Sequence, residues 1–69
     1  MNLSARNQFS GTVKEVKLRN IMAEVVVNIG GGHEIVAAIT RGSAERLKLA
    51  QGSTVMVAIK ATEVLIATN

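Results

Sequence analysis

Five segments of this chain, residues 9–18, 22–29, 34–39, 54–59 and 63–67, are dense in β-branched and apolar side chains and are separated by polar or glycine-bearing stretches. Runs of that length and composition predict five strands. In the first, Phe9, Gly11 and Val13 share one face and Ser10, Thr12 and Lys14 the other, after which the apolar phase slips to Val16 and Leu18. An extra residue near Lys14 and Glu15, in a bulge or sharp bend, accounts for the slip. Gly30-Gly31-Gly32 predicts a hairpin turn between the second and third strands, because consecutive glycines accept the positive φ such turns require. Residues 40–49 carry Ala44 and Leu47 three apart behind Thr40 and Ser43, either of which suits an N-cap, so this stretch predicts one short helix or 3₁₀ turn. Three strands, a short helix and two further strands follow the order of an all-β, five-stranded, OB-like Greek-key barrel with the helix between strands 3 and 4.

The strands are apolar on both faces, as in Val25-Val26-Val27 and residues 35–39, where a half-buried strand alternates. A barrel this small has one interior, so the second apolar face predicts contact with another subunit. Size leads the same way. A chain of 69 residues makes one domain, residues 1–69, and domains near this length are marginal unless disulfides, a metal or partner subunits support them. There is no cysteine and one histidine, so partner subunits are what remains. The longest apolar run is five residues and residues 1–6 lack the apolar stretch of a signal peptide, which predicts a cytoplasmic protein with no membrane span. The net charge of +3 tilts the chain toward anionic partners without forming a basic tract.

Catalysis needs a nucleophile with a base, paired carboxylates or a metal with an open position. His33 stands alone beside the glycine run and reads as an ordinary polar loop residue, and the five glutamates are scattered along the chain with no spacing that pairs two of them. The chain therefore reads as a binding protein and not an enzyme. Phe9 is its one aromatic residue, which leaves no stacking platform for nucleic acid. The glycine run precedes a strand and is not followed by Gly-Lys-Ser/Thr, so it is not a phosphate cradle. What stands out is a set of donors at element ends: Ser4 and Arg6, Thr40 and Ser43, and Lys60. Guanidinium, ammonium and hydroxyl groups without an intervening carboxylate suit a tetrahedral oxyanion held by hydrogen bonds. Thr40 and Ser43 are equally what a helix cap needs, and Lys60 equally a solvated strand end.

The run Ser4-Ala5-Arg6-Asn7-Gln8-Phe9-Ser10-Gly11 closely resembles the opening signature of the molbindins, the small molybdate-binding proteins often called Mop. The likeness continues through Ala23-Glu24-Val25-Val26, the triple glycine, Thr40 with Ser43, Gly52 and Lys60-Ala61-Thr62, and so covers essentially the whole chain. The resemblance implies a homo-oligomer, a hexamer built as a trimer of dimers, that binds molybdate or tungstate at subunit interfaces and stores it in the cell, with no organic cofactor. Carried over residue by residue, it implies that Ser4 and Arg6 of one subunit face Thr40, Ser43 and Lys60 of a neighbour, with the backbone N–H of Ala61 completing the shell. Some relatives have Ser where this chain has Ala61, so one side-chain hydroxyl is missing here. A second class of oxyanion site known in the family has no motif to mark it in this sequence. Two other readings compete: a structural assembly or effector module without ligand, and an OB-type nucleic-acid-binding barrel.

Overall fold

A computed structural model describes residues 5–68. Strands β1 (Asn7–Leu18), β2 (Met22–Gly30) and β3 (His33–Thr40) lead into a short helix α1 (Arg41–Arg46), then β4 (Thr54–Ile59) and a 3₁₀ turn at Ala61–Glu63. The four strands form one antiparallel sheet in the order β3-β2-β1-β4. β1 is shared by both halves of the sheet, its first part pairing with β4 and its second with β2, and Thr12 faces Thr54 on one side and Asn28 on the other.

The expected bulge is present. Val13 pairs with Val27 and Glu15 with the adjacent Val26, so Lys14 is the extra residue. The apolar phase slips across it, with Val13 buried before it and Val16 partly buried after it. Lys14 reaches over β2 to Glu34 of β3, with Nζ 2.6 Å from Oε2. The hydrogen bond that Lys14 donates to Glu34, then the charge of that carboxylate, raises the Lys14 ammonium above the usual lysine range. Both groups stand in solvent, so the pair adds little to stability.

Val13, Val25 and Val27 form the buried centre, with Val16, Ile29, Ile39, Leu49, Val55 and Val57 packed around it. Gly31 and Gly32 both have positive φ, 63° and 80°, which is what a two-residue hairpin loop matching the strand twist demands. His33 is not in the loop but opens β3, exposed and paired with Gly30. Gly11 matters for a different reason: a Cβ there would lie 2.6 Å from Val27 Cγ1 and 2.8 Å from the Asn28 carbonyl oxygen. The backbone atom cannot yield as a side chain would. Gly11→Ala is therefore expected to destabilise the fold by about 1–3 kcal/mol through overpacking, read as a lowered urea midpoint. An unchanged midpoint would show that β1 and β2 can separate locally without loss.

The helix is shorter than the 40–49 expected. It ends because Lys48 adopts a left-handed φ of 53°, with Lys48 N–H donating to the Glu45 carbonyl and Leu49 N–H to that of Ala44, both at 3.1 Å. That pair of bonds closes the last turn as a Schellman motif.

The segment 63–67 does not form the expected fifth strand within the chain. Glu63 closes the 3₁₀ turn, donating its N–H to the Lys60 carbonyl at 2.9 Å, and the residues after it join no ladder. Val64 is already extended, yet Leu65 and Ile66 are 93% and 86% exposed. β3 and β4 are thus the two edges of a sheet that curls without closing. Between them lies an apolar groove of about 220 Å³, lined by Val25, Ala37, Ile39, Leu49 and Val57 among others. Among the described residues, no helix is long and apolar enough to cross a membrane.

Candidate functional site

Thr40 ends β3 and caps α1. Its extended backbone, φ −70° and ψ 147°, turns the side chain back over the first turn, where Oγ1 accepts the Ser43 N–H at 3.1 Å. The Thr40 hydroxyl donates to Ser43 Oγ at 2.7 Å, and Arg46 Nη2 donates to the same oxygen at 3.2 Å. Two hydroxyls and a guanidinium are therefore gathered on one face of α1. Arg46 was not singled out from the sequence. Its spacing of three from Ser43 on a helix was the available signal. Neighbouring Arg41 points elsewhere, with Nη1 donating to the Arg19 carbonyl at 3.2 Å and Nε 3.8 Å from Glu45 Oε2.

Arg6 and Lys60 form a second group. The β1–β4 ladder ends with Asn7 opposite Ile59, so Arg6 and Lys60 are the next positions outward on the two chains of that ladder. Both are exposed. Lys60 precedes the 3₁₀ turn without capping it by its side chain, and Ala61 opens the turn. The first N–H groups of such a turn lack a carbonyl partner inside it, which leaves the Ala61 N–H available as a donor. Ser4 lies outside the described residues.

Arg6 and Lys60 flank the start of β1, whereas its end, Leu18, pairs with Ala23, and Ala23 with Ile39, next to Thr40. The sheet curls between these ends: Ile39, one residue before Thr40, and Ala58, two before Lys60, line the same groove of about 220 Å³. The ends of β3 and β4 therefore border one groove, an approach that sequence spacing could not reveal. Among the described residues, no three His, Cys, Asp or Glu side chains cluster as a cation site requires.

Residues 3–66 match the TOBE domain model. The chain is 42% identical over 66 residues to molybdenum-pterin-binding protein 1 of Clostridium pasteurianum, covering 96% of this chain and 97% of that protein. It is 41% identical over all 69 residues to the molybdenum transport protein ModE of Herbaspirillum seropedicae, of which it spans only 26%. Among solved structures, a molybdate binding protein from Sporomusa ovata superposes with a TM-score of 0.91 at 40% identity, covering 99% of this chain and 100% of that one. A full-length match at this identity, on the same sheet and helix, fixes the lineage: the chain belongs to the TOBE-domain family and, within it, to the molbindin (Mop) branch.

Proposed function

We propose that this protein binds molybdate, or tungstate, by hydrogen bonds alone, catalyses no reaction on it, and serves to store the ion inside the cell. Its relatives over the full length are named for molybdenum-pterin or molybdate binding. The observation that carries the reading onto this chain is that the strand ends bearing its donors border one groove: Thr40 and Ser43 follow Ile39 at the cap of α1, and Lys60 and the Ala61 N–H follow Ala58 at the end of β4. This half alone does not enclose a tetrahedral ion. Ser4 and Arg6 of a second copy supply the other half, so that charge and directional donors come from both sides.

The same reading makes the protein a homo-oligomer, a hexamer assembled as a trimer of dimers, with residues 1–69 acting as a single module. The apolar groove between β3 and β4 needs a strand, and residues 63–67 need a sheet. A neighbouring copy satisfies both, completing an OB-like Greek-key barrel of five strands. Exposed Val36 and Met56, on strands of the same sheet, supply further apolar surface for such contacts.

Calorimetric titration of ion-free protein tests the function. Molybdate and tungstate are expected to bind well, and sulfate and phosphate poorly, because a fixed shell leaves donors unpaired around an ion of the wrong radius or protonation. Arg6→Ala is expected to weaken molybdate binding by more than about tenfold, through loss of a charge-assisted donor. Lys14→Ala, a basic residue already paired with Glu34, is expected to leave it unchanged. Equal binding of sulfate and molybdate would instead favour a structural assembly module.

A further inference from the structure

The Ser43 hydroxyl is an acceptor twice over, from the Thr40 O–H at 2.7 Å and from Arg46 Nη2 at 3.2 Å. A hydroxyl has two lone pairs and one proton. With both lone pairs engaged, the Ser43 O–H can only donate, and it must do so away from Thr40 and Arg46. Thr40 is held in the complementary role, since its oxygen already accepts the Ser43 N–H. Hydrogen bonds accepted by a hydroxyl, above all from a cation, polarise it and strengthen the bond it donates. The charge of Arg46 is also uncommitted. Arg41 on the same helix lies beside Glu45, whereas among the described residues no carboxylate stands at ion-pair distance from Arg46.

Resting on the molybdate reading above, we propose that Arg46 is a positioning and specificity-determining residue of the oxyanion site. It fixes the Ser43 hydroxyl as a donor and adds a positive charge, on α1, to those of Lys60 and of Arg6 from a neighbouring copy. The consequence is selection by charge as well as by size. A divalent tetrahedral oxyanion gains from a cation on each side of it; a monovalent ion of the same shape gains about half as much from each charge.

The experiment compares wild type, Arg46→Ala and Arg46→Lys, each as the assembled protein, titrated with tungstate, molybdate and perrhenate. Perrhenate is a monovalent ion with the shape of tungstate. Arg46→Ala is expected to weaken tungstate and molybdate by about tenfold and perrhenate by about threefold or less, so that the divalent-to-monovalent preference falls. Arg46→Lys is expected to recover most of that preference, because it restores the charge. Native mass and the melting temperature of the ion-free protein should stay as in wild type, since Arg46 is exposed. An unchanged divalent-to-monovalent ratio in Arg46→Ala, whatever the absolute affinities, would overturn the proposal while leaving the molybdate reading intact. Failure of wild type itself to bind molybdate or tungstate would overturn both, and shows in the first titration.

Discussion

Replacing Leu65 and Ile66 together by aspartate is expected to break the proposed hexamer into smaller species and to abolish molybdate binding. In an isolated chain the change would be nearly silent, because both side chains are almost fully in solvent and exposed substitutions usually alter stability by about 0.5 kcal/mol or less. In the assembly both would be buried in the groove of a neighbour. Each apolar side chain is then worth about 1.5–3 kcal/mol of burial, and each aspartate in its place adds the penalty of an unpaired buried charge. Two such lesions recur at every copy of the interface. Native mass spectrometry reads the size of the assembly and calorimetry reads the binding. Gln51→Asp, in the turn before β4, controls for added negative charge. A variant that keeps the wild-type mass and affinity would place the C-terminal segment outside the interface.

Local features of the fold were legible in the sequence, and non-local ones only in part. The bulge at Lys14 could be placed because a single extra residue inverts the alternation of a strand, and inversion is visible in the order of side chains alone. The β2–β3 hairpin was equally plain, since three glycines state their own backbone requirement. The end of α1 was hidden because its left-handed residue is Lys48, where a glycine would have announced the stop. Residues 63–67 have the composition of a strand, but composition specifies no partner, and among the described residues they join no ladder. The site divides in the same way. Its residue types follow from the chemistry of an oxyanion and from the molbindin likeness. The approach of the ends of β3 and β4, with Ile39 and Ala58 on one groove, follows from the curl of the sheet and not from spacing. Arg46 escaped because it lies outside the matched motif, and only its bond to Ser43 marks it.

Mixing Arg6→Ala chains with Lys60→Ala chains is expected to restore wild-type affinity at about a quarter of the sites. On the proposed arrangement Ser4 and Arg6 of one chain face Thr40, Ser43, Lys60 and the Ala61 N–H of a neighbour, so the two variants disable different halves of the site. When equal amounts are unfolded and refolded together, half of all sites take their Arg6 half from a Lys60→Ala chain, where it is intact. Half of those take their Lys60 half from an Arg6→Ala chain, also intact, which gives the quarter under random assembly. The pair Ser43→Ala and Lys60→Ala is expected to behave differently. Both residues belong to the same half, so every such half carries one lesion whichever chain supplies it, and no site recovers. The contrast between the two mixtures is the measurement. Calorimetry counts the restored sites against each unmixed variant, and native mass spectrometry verifies that the chains have mixed. Recovery in the Ser43 and Lys60 mixture would move Lys60 to the half that holds Arg6, its neighbour at the end of the β1–β4 ladder. Absence of recovery in both would mean that each site is built from a single chain.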